Sequence, residues 1–250
     1  MKVQVIIPSR IGSTRLPEKN IQDICGRPMV VRVCDQVAKA GIGEVIVAVD
    51  HPKAKAVVEE YGYTAIMTDP ELPSGSDRIY AAMTELENKT GDKADIIINV
   101  QGDEPLTPPE LITDTVNAFK QNEWIDVLTY AHPIDEQADL DNPNMVKLVT
   151  DENNKAHYFS RSLIPHGAKV AKRHIGFYAY KRDALEKFVK SPQSPLEIQE
   201  KLEQLRGLDI GLNYYVAMTH QAPIGVDTKE DLEMVREIVA KEIEKGNMEK

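Results

Sequence analysis

The sequence predicts an α/β fold built on a doubly wound, mostly parallel sheet, with a small antiparallel lobe. Apolar runs typical of buried strands alternate with amphipathic helical segments as far as about residue 121. The run 96–100 is the clearest of these strands, and it ends abruptly in the polar turn 101–105. From about residue 126 short strand-like runs follow one another directly, so the pattern changes from α/β to a meander.

The first half of the chain contains four predicted strands, at 3–7, 45–49, 63–67 and 96–100. A helix is predicted after each of them: from Pro28 to before Gly41, after Pro52, from the capping box at Ser74 and Asp77 to about residue 87, and from about 107 to 121. Parallel strands of this kind bring their carboxyl ends to one edge of the sheet, where ligands bind.

The second half is predicted as strands at 126–133, 145–150, 155–159, 173–180 and 213–218, with no helix between the first three. A helix is predicted at about 183–190, and a capping box at Ser194 and Glu197 opens another that runs through Arg206. Thr228 and Asp231 cap the last long helix. Since no repeat or linker divides the chain, we predict one domain over 1–250, to which about 126–218 contributes the lobe.

Composition narrows the class of protein. The 250 residues are 42% hydrophobic and 28% charged, as in ordinary globular α/β chains. A net charge of −10 argues against general nucleic-acid binding. No apolar run is long enough to span a membrane, no signal-type segment opens the sequence, and Cys25 and Cys34 lack a metal-binding spacing. We therefore expect a cytoplasmic protein with reduced cysteines and no membrane insertion.

A basic loop follows the first strand. It has no hydrophobic period, and it carries three cations, Arg10, Arg15 and Lys19, with Gly12, Ser13 and Thr14 between them. Small residues let backbone N–H groups approach a phosphate while the long side chains neutralise its oxygens. The loop is not a P-loop, because the spacing of that motif is absent. It is either a phosphate-binding loop or a solvated basic loop.

Two carboxylates stand at the ends of sheet elements. Asp103 follows Gly102 directly after the strand 96–100, and Asp227 precedes the helix cap Thr228. Mg²⁺ is usually held by one or two carboxylates together with phosphates and waters. The alternative is that both are ordinary turn residues.

Arg78 is a further candidate. It lies in the first turn of its predicted helix, where the macrodipole disfavours a cation. Its position indicates either a ligand or a salt bridge with Asp77 or another neighbour.

Taken together, four motifs resemble the sugar nucleotidyltransferase superfamily: Pro8-Ser-Arg10, 13–17 with Lys19, 100–105 and 225–228. Further stretches resemble the 3-deoxy-manno-octulosonate (Kdo) cytidylyltransferases, or CMP-Kdo synthetases: 144–149 with 158–161, 173–178, 194–197 and 201–206. The likeness runs in order along nearly the whole chain. It implies a fold of the nucleotide-diphospho-sugar transferase type and the Mg²⁺-dependent reaction CTP + Kdo → CMP-Kdo + diphosphate, for lipopolysaccharide synthesis. It also implies a homodimer formed largely through the lobe.

The resemblance implies roles for particular residues. Those implied to bind the nucleotide are Pro8, Arg10, Ser13, Thr14, Arg15, Lys19, Ser74, Arg78 and Gln101. Those implied to bind the acid sugar are Gln101, Arg161, His174, Tyr178, Glu203 and Gln204. Asp103 and Asp227 are implied to bind Mg²⁺, and the catalytic set is Arg10, Lys19, Asp103 and Asp227. No general base is required; if one acts, a metal-bound water or Asp227 is favoured over His174.

The chain departs from the family pattern in three places. The family usually has Ala where Ser9 stands, and its loop usually reads Leu-Pro-Gly-Lys-Pro, so that Glu18 and Asn20 differ. Glu18 is expected either to weaken CTP binding or to pair with Lys19. The segment 166–172 is shorter than usual, and His166 stands where an aromatic residue is common. Two alternatives follow: a cytidylyltransferase for 8-amino-Kdo or another 2-keto-3-deoxy acid sugar, and a catalytically silent CTP-binding protein.

Overall fold

The computed structural model of this chain describes residues 1–12 and 15–249. Its internal contacts divide the chain into two compact units: Met1–Asp114 with the segment from Pro223 onward, and Thr115–Ala222. The lobe expected at about 126–218 lies within the second unit. A single domain over 1–250 stays a prediction.

The strands of the first unit are β1 (Val3–Ser9), β2 (Asp23–Ile24), β3 (Arg27–Pro28), β4 (Val45–Val49), β5 (Thr64–Met67) and β6 (Ile96–Asn99). β1 pairs in parallel with β4 on one side and β6 on the other, and β4 pairs in parallel with β5. The order β6-β1-β4-β5 confirms the predicted parallel sheet. Because the chain returns to the far side of β1 as β6, the strand order reverses between them, which is where open α/β sheets bind ligands.

Helices follow the strands as the sequence predicts. They are the 3₁₀ helix Lys19–Ile21, α1 (Met29–Lys39), α2 (Pro52–Glu60), α3 (Gly75–Thr90) and α4 (Pro109–Gln121), which runs on into the second unit. Pro28 precedes α1, whose apolar positions 29, 30, 33 and 37 are all buried. Ser74 caps α3, because its Oγ accepts a hydrogen bond of 3.2 Å from the backbone N–H of Asp77.

The core of the first unit fixes the basic loop. β4 and β6 are buried along their whole length, as expected of parallel strands covered on both faces. Leu16, in the middle of the loop, packs in a separate cluster with Ile24, Met29, Val226 and three apolar residues at 232, 235 and 239. Burying a Leu side chain stabilises a fold by about 1.5–3 kcal/mol. The loop is therefore held beside the segment that carries Asp227.

The strands of the second unit are β7 (Val127–Ile134), β8 (Lys147–Thr150), β9 (Ala156–Ser160), β10 (Ala171–Lys181) and β11 (Tyr214–Met218). The pairs β7–β10, β8–β10 and β8–β9 are antiparallel, as expected of the lobe. β11 differs, because it pairs in parallel with β7. The lobe is thus mixed rather than purely antiparallel.

The helices of the second unit are α5 (Gln137–Asp141), α6 (Arg182–Lys190), α7 (Pro195–Glu200) and α8 (Gln204–Asp209). The expectation of no helix between the first short strands is wrong, since α5 lies between β7 and β8. Leu140 of α5 is buried with Ile134 and Ala171, so tertiary packing of one side chain stabilises a helix that is too short to show a hydrophobic period.

The prediction of a single helix from Ser194 to Arg206 is also wrong, because the helix is interrupted in its middle. The Ser194–Glu197 capping box is present, but α7 ends at Glu200 and Lys201 adopts the left-handed conformation at φ 56°. The carbonyls of Glu200 and Lys201 accept hydrogen bonds from the guanidinium of Arg161 at 2.8 and 3.3 Å. A continuous helix would use these carbonyls for its own next turn.

The last helix, α9 (Lys229–Glu244), belongs to the first unit. Its predicted capping box is confirmed, since Thr228 and Asp231 exchange side-chain to backbone hydrogen bonds of 2.9 and 3.1 Å. No helix in the described part of the chain has both the length and the apolar character needed to cross a membrane.

Candidate active site

A cavity of about 390 Å³ lies in the first unit, where β1 and β6 end. It is lined by most of the residues predicted to bind nucleotide or metal: Pro8, Arg10, Arg15, Lys19, Ser74, Arg78, Gln101, Asp103 and Asp227. These residues are far apart in sequence, and the fold brings them together. Ser13 and Thr14, also predicted to bind nucleotide, lie outside the described residues.

The cavity is positively charged. Its described lining carries four cations, Arg10, Arg15, Lys19 and Arg78, against the two carboxylates Asp103 and Asp227. This local excess stands in a chain whose net charge is −10. Since exposed charges beyond roughly 8 Å are largely screened at physiological salt, a polyphosphate in this cavity would respond mainly to the lining.

Lys19 joins the two carboxylates. Its Nζ lies 2.5 Å from Asp103 Oδ2 and 3.0 Å from Asp227 Oδ1. Arg15 also contacts Asp227, at 3.1 Å. Partial burial lowers the pKa of Lys19, but the attraction of Asp103 and Asp227 outweighs that effect and the net shift is upward. Lys19 therefore remains a cation at neutral pH.

The two carboxylates are adjacent because the backbone joins their segments. The backbone N–H of Val226 donates to the carbonyl of Asp103 at 2.9 Å. Glu104, next in sequence, is different: burial, and then the charge of Asp103, raise its pKa to about 8. Glu104 is therefore largely neutral at pH 7, and the negative charge at the end of β6 belongs to Asp103.

Gly102 allows the ends of β1 and β6 to approach closely. A Cβ at this position would lie 2.7 Å from the carbonyl oxygen of Pro8 and 3.3 Å from Asn20 Nδ2. The first of these contacts is with backbone and cannot be relieved by a side-chain rotation. A side chain here would push Asp103 away from the basic loop.

Gly102→Ala is accordingly expected to lower the free energy of unfolding by about 1–3 kcal/mol, the usual cost of overpacking. Urea unfolding of the purified variant measures the effect. Gly12→Ala is the matched control, because a Cβ at Gly12 meets nothing within 4 Å. Equal unfolding midpoints for the two variants would contradict the close approach.

The residues that depart from the family pattern make specific contacts. Asn20 is only 6% exposed, and its Nδ2 donates to Ser9 Oγ at 3.0 Å. Glu18 adopts a left-handed conformation and pairs with Lys53 at 2.6 Å. The expectation that Glu18 pairs with Lys19 is therefore not met, because Lys19 is taken by the two aspartates.

Arg78 is 4% exposed and pairs with a neighbour. Its guanidinium donates to Thr68 Oγ1 at 2.6 Å and lies 3.7 Å from Asp50 Oδ2. Asp77 instead accepts from the hydroxyl of Ser74 at 2.6 Å. Burial and the nearby Arg10 lower the pKa of Arg78, whereas Asp50 raises it. Arg78 thus lines the cavity as a fixed, partly compensated cation.

The residues predicted to bind the acid sugar, apart from Gln101, lie in the second unit. The guanidinium of Arg161 donates to the backbone carbonyls of Pro143, Glu200 and Lys201 at 3.1, 2.8 and 3.3 Å. The fully buried Lys147 donates to the carbonyl of Arg161 at 2.8 Å. These contacts occupy three of the five N–H groups of the guanidinium.

His174 is packed among aromatic rings. Its Nε2 lies 2.9 Å from Thr129 Oγ1, and its ring centre lies 5.2 Å from that of Phe159 and 5.4 Å from that of Tyr178. Burial, and then the charge of Arg173, lower the pKa of His174 to about 3. The imidazole is therefore neutral at pH 7 and is a weak base there.

Tyr178, Glu203 and Gln204 also lie in this unit. Tyr178 is buried, and its pKa is raised well above the usual value by burial and by nearby groups that include Glu203. Glu203 lies directly before α8, and the buried Gln204 is the first residue of α8.

The state of His174 predicts a pH dependence of stability. The unfolded chain binds a proton at His174 below about pH 6.5, whereas the folded chain does not bind it until about pH 3. The free energy of unfolding therefore decreases as the pH is lowered from about 6.5 to about 3. The expected slope is up to about 1.4 kcal/mol per pH unit. Urea unfolding from pH 7 to pH 4 measures it. His174→Asn, which does not titrate, is expected to show a shallower slope, and an unchanged slope would contradict this account.

Several residues at these sites are missing from the predicted set. Asp50 directly follows β4, and its Oδ1 accepts from the backbone N–H of Ile11 at 2.9 Å while Oδ2 faces Arg78. The position of Asp50 at a strand end is a signal that could have identified it. Asn20 and Lys147 have no such signal, because each is recognised only through its tertiary partners.

The chain is similar to known cytidylyltransferases over most of its length. A protein-family model described as "Cytidylyltransferase" matches residues 4–219. The 3-deoxy-manno-octulosonate cytidylyltransferase of Bartonella henselae is 43% identical over 240 residues, covering 94% of this chain and 98% of that protein. That of Bradyrhizobium sp. is 44% identical over 244 residues, covering 96% and 98%. A solved structure of CMP:2-keto-3-deoxy-manno-octonic acid synthetase complexed with CTP superposes with a TM-score of 0.90 at 38% identity, covering 97% of this chain and 100% of that one.

Proposed function

This chain belongs to the 3-deoxy-manno-octulosonate cytidylyltransferase family, and from that premise we propose that it transfers the CMP group of CTP to Kdo with release of diphosphate. The observation that carries the proposal is the cavity at the β1–β6 reversal. There a basic loop, a buried arginine and two carboxylates face one another. That combination suits a triphosphate with a divalent cation better than it suits a neutral ligand.

Arg10, Arg15 and Lys19 are proposed to bind the phosphate oxygens of CTP. Both substrates are anions, so attack of the sugar hydroxyl on the α-phosphate requires positive charge around the reacting atoms. The cations that line the cavity provide this charge, and they also stabilise the diphosphate that leaves. Arg78 is held by Thr68 and Asp50 and is proposed to position the nucleotide beside Ser74.

Asp103 and Asp227 are proposed to hold Mg²⁺. Their Oδ2 and Oδ1 atoms already converge on one cationic nitrogen, that of Lys19, so the donor set fits a hard cation. No cluster of three or more His, Cys, Asp or Glu side chains suited to a metal occurs in residues 1–12 and 15–249, which leaves phosphates and waters to complete the coordination. Mg²⁺ supplies a Lewis acid that neutralises phosphate charge and acidifies the sugar hydroxyl.

The acid sugar is proposed to bind Arg161 through its carboxylate, with Gln101, His174, Tyr178, Glu203 and Gln204 as further contacts. Because carbonyls take three N–H groups of Arg161, the carboxylate would use those that remain. His174 would act as a neutral hydrogen-bonding group, since its pKa is about 3.

The test measures the release of diphosphate from CTP in the presence of Mg²⁺, with Kdo, 8-amino-Kdo or N-acetylneuraminate as the acceptor. We expect release with Kdo and not with N-acetylneuraminate. Release with 8-amino-Kdo alone would support the same reaction and would assign the changed sugar specificity to the altered segment 166–172. Silence with all three would contradict the proposal and favour a silent CTP-binding protein.

We further propose that the enzyme is a homodimer formed through the lobe and acts in the cytoplasm in lipopolysaccharide synthesis. Such an interface could cover several large apolar side chains that the second unit exposes: Val170, Leu196, Ile198 and Met218. Sedimentation equilibrium of the purified chain would give the mass of a dimer, and a monomer at micromolar concentration would contradict this part of the proposal.

A further inference from the structure

Lys19 stands where a divalent cation would bind. Its ammonium nitrogen lies within 3.0 Å of one oxygen from each of Asp103 and Asp227. We propose that Lys19 occupies the metal site of the nucleotide-free enzyme, and that it turns to the phosphates when the nucleotide binds. This inference rests on the proposed function, because it uses the same two carboxylates.

The charges of the cluster explain why Lys19 holds this position. Two carboxylates that face each other repel, and one ammonium between them removes most of that repulsion. Arg15 adds a second cation beside Asp227 at 3.1 Å. The carboxylate pair is thereby compensated before any metal arrives. A divalent cation that binds alone must break both hydrogen bonds of Lys19.

Lys19 has little alternative in the absence of phosphate. Its side chain is only 13% exposed, and Arg15, a like charge, contacts the same oxygen of Asp227. A triphosphate in the cavity provides new anionic oxygens, and the flexible four-carbon stem lets the ammonium reach them.

The consequence is a coupling between the two ligands. Nucleotide binding frees the carboxylates from Lys19 at the moment when phosphate oxygens become available as further metal ligands. By linkage, a bound metal also raises the affinity for the nucleotide. Lys19 thus keeps the two carboxylates in place for the metal, and it suppresses metal binding in the absence of nucleotide.

The experiment is a calorimetric titration of the purified, nucleotide-free chain with Mn²⁺. We expect Lys19→Met to bind Mn²⁺ at least about tenfold more tightly than the wild type, because two charge-assisted hydrogen bonds no longer oppose binding. Lys53→Met is the matched control. Lys53 also pairs with a loop carboxylate, that of Glu18, and its loss is expected to leave Mn²⁺ affinity unchanged.

A gain in affinity must come from the named carboxylates. Adding Asp103→Asn to Lys19→Met is expected to abolish the gain. Equal or weaker Mn²⁺ binding by Lys19→Met, or a gain that survives Asp103→Asn, would overturn the proposal. Lys19→Gln, which keeps a polar side chain, replaces the Met variant if circular dichroism shows that the latter is unfolded. Because the titration contains neither CTP nor sugar, its result is independent of whether the chain transfers CMP to Kdo.

Discussion

Asp103→Asn and Asp227→Asn are each expected to lower kcat for CMP transfer by at least about 10²-fold, the scale of losing one major electrostatic contact. Asparagine keeps the shape of the side chain but removes the charge. The predicted metal site then loses half of its protein charge, and Lys19 loses one of its two partners. Diphosphate release at saturating CTP, Kdo and Mg²⁺ measures the effect.

The control for these variants is Asp92→Asn. Asp92 is an exposed carboxylate that pairs with Lys2 at 3.0 Å and is absent from the cavity lining. Its kcat is expected to equal that of the wild type. Near-normal turnover by the Asp103 or Asp227 variant, with intact folding, would remove that residue from the metal site.

Gly207→Ala is expected to cause a large loss of stability in the second unit. A Cβ at this position in α8 would lie 2.1 Å from the hydroxyl oxygen of Tyr214 and 2.7 Å from its ring. Tyr214 is fully buried and packs edge-on against Phe159, with 5.9 Å between the ring centres, so a shift of the ring would disturb this packing. We expect the free energy of unfolding to fall by about 3 kcal/mol or more, at the upper end of overpacking costs. Urea unfolding monitored by circular dichroism measures it.

Gly176→Ala provides the comparison within the same unit, because a Cβ at Gly176 meets nothing within 4 Å. Its unfolding midpoint is expected to lie close to that of the wild type. An unfolding midpoint of Gly207→Ala equal to that of Gly176→Ala would contradict the close contact between α8 and Tyr214.

Much of the fold follows from local signals. The parallel order of the first unit was predictable because apolar runs such as Val45–Val49 are buried on both faces, and because capping residues such as Ser74 and Thr228 mark helix starts. The interruption at Lys201 was not predictable. It depends on the guanidinium of Arg161, which reaches carbonyls 39 and 40 residues later in the chain. The parallel pairing of β11 with β7 likewise depends on a partner distant in sequence.

The candidate site divides in the same way. Residues at strand ends, such as Arg10 and Asp103, could be located because parallel strands share one edge. The bridging position of Lys19 could not, since it requires two carboxylates from different segments to converge on one nitrogen. The role of Asp50 was accessible in principle, but its strand end carried no second signal.

The hydrogen bond between Asn20 and Ser9 makes the effect of a substitution at either position depend on the residue at the other. Ser9→Ala alone would leave the buried amide of Asn20 without this partner, at a cost of about 1–3 kcal/mol. Asn20→Pro alone would leave only a hydroxyl, which can rotate toward another acceptor. The two positions are therefore coupled in one direction only: the asparagine requires the serine, but the serine does not require the asparagine. Asn20→Pro should therefore be tolerated while Ser9 is present, whereas Ser9→Ala should be tolerated only in a chain that already carries Asn20→Pro.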